Sequence, residues 1–270
     1  MTLQELRTRP HLSVSAINDY TDCGLLYKLG RIDGFKPEFR SDAMEFGSAV
    51  HIVLAEYYQQ KMAGVDLSLK EVHDLFEYHW QRLAGSNDEI QYAEGKSFEI
   101  LLLEGKELLT TFYHKRAMNG CEVIAIEEPF CFTIEGCHLP MIGAFDLVER
   151  GASGTVVIVD NKTSGRAYSS DEVDRNFQLT VYQMAARAMG FSKEILLRFD
   201  CLIKTKNPKF EQYYTTRTEI DETRARRRII EIYRGITRGV FIPNDSSTNW
   251  KCRGCSFKKP CNEWFMKEAA

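Results

Sequence analysis

The run Thr155-Val156-Val157-Ile158-Val159, which passes without a turn into Asp160-Asn161-Lys162, constrains the fold more than any other segment of the chain. β-branched residues in succession favour extended backbone, and an unbroken apolar run reads as a strand covered on both faces. Such strands usually close in turn residues. This one closes in an acid and a base two positions apart, which the period of a strand puts on one side, with Asn161 on the other. A carboxylate and an amine presented together at the end of a buried strand are a place to hold a metal ion and activate water.

The flanking pattern supplies the cover. Ser13 or Ser15 can cap a helix reaching about Gly30, a second helix covers roughly Ala43 to Met62, and Ser68-Leu69-Lys70-Glu71 has the form of a capping box opening a third, to about Leu83. A fourth runs from about Ala93 and stops at Asn119-Gly120. Strand patterns follow at 121–134, 138–149 and 155–162, with Glu135-Gly136 and Gly151-Ala152-Ser153-Gly154 as turns. A helix from about Val173 to Met189, closed by Gly190, precedes strands at 195–205 and 210–219, with Asn207-Pro208 between them. A last helix, 221–239, leads to Pro243 and a cysteine-rich tail. This order predicts one α/β domain over residues 1–270, with a central mixed β-sheet flanked by helices and a helical insertion near 64–120.

Hydrophobic residues make up 44% of the 270 and charged residues 27%, which suits a protein with a real core. No apolar stretch approaches the ~18 residues needed to span a bilayer, and MTLQELRTRPHLSVS has no apolar signal core. The reading is a cytoplasmic protein with no membrane partner. The net charge of −3 hides an asymmetry, because the arginines and lysines concentrate after residue 185. A basic C-terminal third suits an anionic partner such as nucleic acid, while Arg224, Arg226, Arg227 and Arg228 read equally as a solvated helix face.

Further chemistry-bearing residues stand around the strand end. Asp146, in Met141-Ile142-Gly143-Ala144-Phe145-Asp146-Leu147-Val148, is an acid on an otherwise apolar stripe. A hairpin connection sets it one strand from Asp160, so one cation could bridge the two; the bland reading is a solvated acid at a strand end. His51 follows Gly47 by one helical turn, which leaves a bare face beside the imidazole for a ligand or a close backbone, unless the histidine is simply structural. Gln178 and Tyr182 share a helix face and can donate toward a phosphate, or Tyr182 is a core aromatic. Lys162 is a cation at neutral pH, able to orient an attacking water.

In the order Gly-x-x-x-His, Gly-x-x-Asp, Asp-x-Lys, Gln-x-x-x-Tyr, these residues resemble the RecB-like branch of the PD-(D/E)XK nuclease superfamily. The resemblance implies a restriction-endonuclease-like core. It also implies that His51, Asp146 and Asp160 hold Mg²⁺ or Mn²⁺ with the main-chain carbonyl of Asn161, that Lys162 assists the nucleophilic water, and that Gln178 and Tyr182 position DNA. The second acid is Asp where many members have Glu.

The eight cysteines divide unequally. Cys121, Cys131, Cys137 and Cys201 sit singly in strand patterns, where cysteine behaves as a small hydrophobe. Cys252-x2-Cys255-x5-Cys261 offers three thiolates, one short of the usual four for zinc or an iron–sulfur cluster, and Cys23 is available as the fourth. That arrangement resembles the 4Fe-4S subset of the same branch, which includes CRISPR-associated RecB-like exonucleases and AddB-type nuclease subunits. It departs from the subset at Gly24, where proline often follows the first cysteine. The resemblance implies a structural 4Fe-4S cluster on Cys23, Cys252, Cys255 and Cys261, while spacing alone leaves zinc open.

The expected activity is metal-dependent hydrolysis of DNA, as an exonuclease on single-stranded ends, with a helicase or CRISPR-adaptation protein as partner, since the chain has no helicase motif. The alternative is a cluster- or zinc-bearing DNA-binding or assembly subunit with a vestigial nuclease site. An RNA-directed nuclease would use the same residues.

Overall fold

The computed structural model describes residues 1–85, 89–116, 121–151, 153–191, 194–246 and 248–268. In chain order these form α1 (Leu3–Arg7), α2 (Val14–Asp22), α3 (Gly24–Tyr27), a π-helical turn (Lys28–Ile32), β1 (Arg40–Ser41), α4 (Asp42–Met62), α5 (Leu69–Ala84), β2 (Ile90–Gln91) and α6 (Phe98–Lys115). Strands β3 (Glu122–Ile134), β4 (Cys137–Arg150) and β5 (Val156–Ser164) follow, then α7 (Ser170–Asp174), α8 (Phe177–Ala188), β6 (Ile195–Ile203), β7 (Lys209–Thr215), α9 (Glu219–Thr237), α10 (Trp250–Arg253) and α11 (Lys258–Glu268). Among the described residues no helix is long and apolar enough to cross a membrane.

The fold is α/β, around a mixed five-stranded sheet in the order β3-β4-β5-β6-β7. β4 runs antiparallel to β5 and β7 antiparallel to β6, while β5 and β6 are parallel, with Asp160 beside Phe199 and Lys162 beside Cys201. The parallel pair needs a crossover, and α7 and α8 provide it. The capping box expected at Ser68 is present, and the Glu135-Gly136 turn falls between β3 and β4. Asn119-Gly120 and Ala152 lie outside the described residues.

Several boundaries differ from the sequence reading, each for a local reason. The helix expected from Ser13 to Gly30 breaks at Cys23, which adopts extended backbone. The helix expected from Ala93 begins at Phe98, because Ser97 caps it while the Ala93 amide donates to Asp42 Oδ2 at 3.0 Å. The helix expected from Val173 to Met189 is two helices, because Asn176 turns out of the helix and caps α8, accepting from the Leu179 amide at 3.1 Å. The last strand stops at Thr215 rather than Glu219, since Thr218 and Asp221 exchange hydrogen bonds that open α9.

The chain forms two compact units. Unit 2 comprises 41–130 and 144–222. Its core joins Phe46, Val50 and Leu54 of α4, Phe76 and Trp80 of α5, and Leu108 and Phe112 of α6 to Leu147, Val157, Val159, Leu202 and Phe210 of the sheet. The segment read as an insertion therefore supplies much of the cover for one sheet face. Phe112 meets Phe210 edge to face at 5.4 Å, and Phe76 stacks on Trp80. Gly105 permits the approach of α6 to α5, because a methyl there would lie 2.0 Å from the Phe76 ring.

Unit 1 comprises 1–40, 131–143 and 223–270. Leu12 bridges to the neighbourhood of Met141, its amide donating to Pro140 O and its carbonyl accepting from the Ile142 amide, both at 2.9 Å. Tyr20, Tyr27 and Phe241 pack with centroids 5.6 to 6.4 Å apart. On α9, Ala225, Ile229 and Ile232 are buried while Arg224, Arg226 and Arg227 are exposed.

One buried side chain fixes the break before α8. Arg217 donates from Nε to Thr180 Oγ1 at 2.8 Å, from Nη1 to Thr215 Oγ1 at 2.8 Å, and from Nη2 to Val173 O at 2.8 Å and Asn176 O at 3.2 Å. The carbonyls released where α7 ends thus find a donor inside the protein. Arg217→Ala should lower stability by about 2–4 kcal/mol, because it strands those acceptors. Arg217→Lys should recover only part of the loss, since an ammonium cannot reproduce the planar fork. Urea unfolding of the three proteins checks both statements.

Candidate active site

The residues singled out around Asp160 converge within unit 2. Asp160 is 1% exposed, and neither of its carboxylate oxygens receives a well-angled hydrogen bond. Its counter-charge is Lys162, whose Nζ stands 2.6 Å from Asp160 Oδ2 as an ion pair. Lys162 Nζ also donates to Gln178 Oε1 at 2.8 Å, and Gln178 Nε2 donates to Tyr182 Oη at 2.9 Å. Tyr182 is itself buried against Phe145 and Phe130, at 5.3 and 5.8 Å. The Gln/Tyr pair, read from sequence as facing a phosphate, is therefore turned inward and grips the lysine. Burial opposes the charge of Lys162, but the Asp160 carboxylate beside it more than offsets this and holds its pKa above the ordinary value.

Asp146 and His51 meet on the other side of Asp160. Asp146 Oδ2 accepts from the Asn161 amide at 2.8 Å and lies 3.4 Å from His51 Nδ1. Burial pushes the Asp146 pKa well up, and the nearby Asp160 charge adds to the rise. Burial pulls His51 down, which favours the neutral imidazole that a metal needs; Asp160 and a hydrogen bond with the Asn161 backbone act in the opposite sense. The bare face at Gly47 looks toward β5, where a methyl would sit 3.4 Å from Thr163 Oγ1.

Sequence reasoning missed Glu127. One ligand atom each from His51, Glu127 and Asp146 lies within 4.8 Å of the other two, a grouping that fits a metal ion. Glu127 is also a non-glycine residue at φ 48°, a backbone conformation that L side chains rarely adopt and that gathers at functional sites. Its pKa is raised, first by burial and then by Asp160. In the sequence Glu127 falls within the strand pattern 121–134, where nothing local marks it, and only the φ value and its grouping with His51 and Asp146 distinguish it.

The donor set suits a divalent cation. His51, Glu127 and Asp146 group together beside a buried Asp160 whose close counter-charge is Lys162, a surplus of carboxylate that a cation would offset. Asp160 stands outside the His51, Glu127 and Asp146 grouping, but its charge acts on all three.

Unit 1 holds the second constellation. Cys23, Cys252, Cys255 and Cys261 line one cavity of about 330 Å³. The Asn244 amide donates to Cys23 Sγ at 3.4 Å. Burial raises the pKa of Cys255 and Cys261, and each is raised further by the other thiols of the set. Gly24 is explained here: its amide donates to Ile242 O at 2.9 Å, and a Cβ would lie 2.7 Å from Ile242 N, so proline would lose the bond and clash.

A mixed sheet whose central strand ends in an ion-paired Asp-x-Lys, next to a His/Glu/Asp group, defines a protein built for metal-assisted hydrolysis. The chain matches the family model of the PD-(D/E)XK nuclease superfamily over residues 11–262, and it belongs to that superfamily. It is 29% identical over 279 residues to the Gene 69 protein of Mycobacterium phage D29, covering 93% of this chain and 96% of that one. Its fold is similar to a crystal structure from Eubacterium rectale described as "Putative exonuclease", with a TM-score of 0.53 at 12% identity over 91% of this chain and 88% of that one.

The crowding of acids makes a test. With metal chelated, Asp146→Asn should be more stable than the parent by on the order of 1 kcal/mol, because it removes a charge that burial disfavours while keeping an acceptor for the Asn161 amide. Glu127→Gln should fold normally and bind Mn²⁺ roughly tenfold or more weakly. Thermal shift against a Mn²⁺ titration measures both. An Asp146→Asn protein that is less stable in chelator would remove the account of the acid cluster.

Proposed function

We propose that this nuclease is a Mg²⁺- or Mn²⁺-dependent deoxyribonuclease that acts as an exonuclease on single-stranded DNA ends and carries a structural 4Fe-4S cluster. The observation that carries the hydrolytic reading is the buried Asp160 carboxylate, ion-paired with Lys162, beside the grouping of His51, Glu127 and Asp146. His51, Glu127, Asp146 and Asp160 would hold the metal, with the Asn161 main-chain carbonyl as a further ligand. When bound, the ion supplies Lewis-acid polarisation of the phosphodiester and lowers the pKa of a water.

The chain's own residues do the rest. Lys162 remains a cation because Asp160 stabilises it, and its ammonium faces the position where charge builds on the phosphate oxygens. Gln178 and Tyr182 act through Lys162, fixing its Nζ by the relay of hydrogen bonds. Neutral His51 offers a ring nitrogen rather than a proton. The outward arginines of α9 offer the strand a sequence-independent electrostatic contact.

The cluster reading rests on four cysteines around one cavity and on the N–H donor to Cys23 Sγ, a contact that iron–sulfur ligands commonly accept. Its role is that of a staple between the first and last segments of unit 1. Partners of the helicase or CRISPR-adaptation type would deliver single-stranded ends to this site.

Asp160→Ala and Lys162→Ala should each reduce cleavage of end-labelled single-stranded DNA at least about a thousandfold while leaving the circular dichroism spectrum intact. Full activity in either variant would end the mechanism. Comparing 5′- and 3′-labelled strands and a circular strand in the same assay separates exonuclease from endonuclease action. Protein purified without oxygen should be brown and contain iron and sulfide, and Cys255→Ser should lose both together with soluble yield. Stoichiometric zinc without iron would replace the cluster by a zinc site.

A further inference from the structure

The sheet face that carries Asp160 continues past it into aromatic residues. In the register, Asp160 lies beside Phe199 on β6, and Phe199 beside Tyr213 on β7. Paired residues of neighbouring strands project from the same face, so the three side chains form one row across the sheet. Tyr168, in the segment between β5 and α7, lies over this row, with its ring 5.4 Å from Phe199 and 6.3 Å from Tyr213. Phe199 is fully buried, whereas Tyr168 and Tyr213 are half-buried. Lys162 joins the group to the hydrolytic site, its Nζ standing 5.5 Å from the Phe199 ring centre.

The distances suit one nucleotide. Strands lie about 4.8 Å apart, so Phe199 is one strand spacing from Asp160 and Tyr213 about two. A base is tethered to its phosphate through a single sugar, so a phosphate held at Lys162 leaves the adjoining base within reach of the two tyrosines. The bases of a duplex are stacked on one another and cannot stack on a protein ring, so an aromatic shelf serves a strand whose bases are free. The charged groups at the shelf are Lys162 on the site side and Glu211 on the far side, where Glu211 accepts from Tyr213 Oη. A carboxylate there is tolerable to a base but repels a phosphate, which directs the base rather than the backbone onto the tyrosines.

We propose that Tyr168 and Tyr213, backed by Phe199, form a stacking shelf for the unpaired base next to the scissile phosphate, and so select single-stranded substrate. The inference rests on the nuclease reading of the Asp160 site, and its test is made without cleavage so that the two can fail separately.

The test uses the full chain in chelator, with single-stranded 20-mers that carry 2-aminopurine at each position from the end in turn, and a blunt duplex of the same sequence. Wild-type protein should quench 2-aminopurine at one or two positions near the end. Tyr168→Ala and Tyr213→Ala should each relieve that quenching and weaken single-strand binding by about fivefold to a hundredfold, the usual effect of removing one stacking ring. Tyr168→Phe should keep both signals, and duplex affinity should change less than twofold in every variant. An abasic site at the quenched position should weaken binding to wild type but not further to Tyr168→Ala, a comparison that does not depend on how well the alanine variants fold. Unchanged quenching in the alanine variants, equal loss on single strand and duplex, or an abasic effect additive with Tyr168→Ala would each overturn the shelf. Metal-dependent cleavage measured separately on the same proteins decides the nuclease reading independently.

Discussion

A fully buried carboxylate whose close counter-charge is a single lysine is the constraint to which the rest of unit 2 answers. Taking Asp160 out of water is expensive, and a single lysine offsets it directly. That lysine is therefore not free to wander, and two further residues hold it: Gln178 by accepting from it, and Tyr182 by accepting from Gln178. The position of Tyr182 is in turn set by Phe130 and Phe145. Asp146 and Glu127 add negative charge that one ammonium cannot balance, and their raised pKa values express that imbalance. A site left with surplus carboxylate and a neutral imidazole is one prepared for a cation rather than one optimised for stability on its own.

The opposite face of the same strands is handled differently. Asn161 is paired in register with Asp200, and Asp200 receives two hydrogen bonds from Arg198, at 2.6 and 2.9 Å. Arg198 also lies 2.8 Å from Glu149 Oε2, and Gln212 donates to Asp200 at 3.1 Å. Here burial is met by a fork geometry that occupies both Asp200 oxygens, the arrangement in which a buried ion pair fixes structure. The contrast across one strand is informative. Both acids are 1% exposed, but Asp200 is held by a guanidinium fork and an amide, whereas the close counter-charge of Asp160 is a single ammonium. The Asp200 network ties β6 to β7 through Gln212 and, through Arg198, to Glu149 of β4, whereas the close counter-charge of Asp160 comes from its own strand.

What could be read from the sequence follows from how local each cause is. Asp160 and Lys162 were legible because the period of a strand alone puts them together, and the Ser68 capping box because four consecutive residues specify it. Glu127 was not legible, because its place depends on a left-handed residue in a long strand and on partners from α4 and β4. The breaks at Cys23 and Asn176 escaped for the same reason. Each replaces helix hydrogen bonds with partners distant in sequence: the Ile242 carbonyl for Gly24, and the Arg217 guanidinium for Val173 and Asn176. Gly47 was legible as a bare face, but that it looks toward Thr163 of β5 depends on tertiary packing.

The two units also differ in what their connectivity demands. Unit 2 is assembled from two long segments, and its core residues come from elements adjacent in the chain, such as α4, α5 and α6. Unit 1 is assembled from three segments, two of which lie at opposite ends of the sequence. Bringing residue 23 to residues 252–261 closes a loop containing most of the protein, an entropy loss that grows only slowly with length but must still be met by contacts at the join. The contacts there include hydrogen bonds from Asn244 and Asn249 to the Asp22 carbonyl, the Asn244 amide bond to Cys23 Sγ, the Gly24–Ile242 backbone bond, the Lys251–Asp22 ion pair and the packing of Tyr20 and Tyr27 on Phe241. Four thiols around a shared cavity at that join are placed where a single multivalent ligand would add the most constraint. The residues described around Asp160 belong to unit 2 and Cys23, Cys252, Cys255 and Cys261 to unit 1, so the two constellations draw on separate parts of the chain.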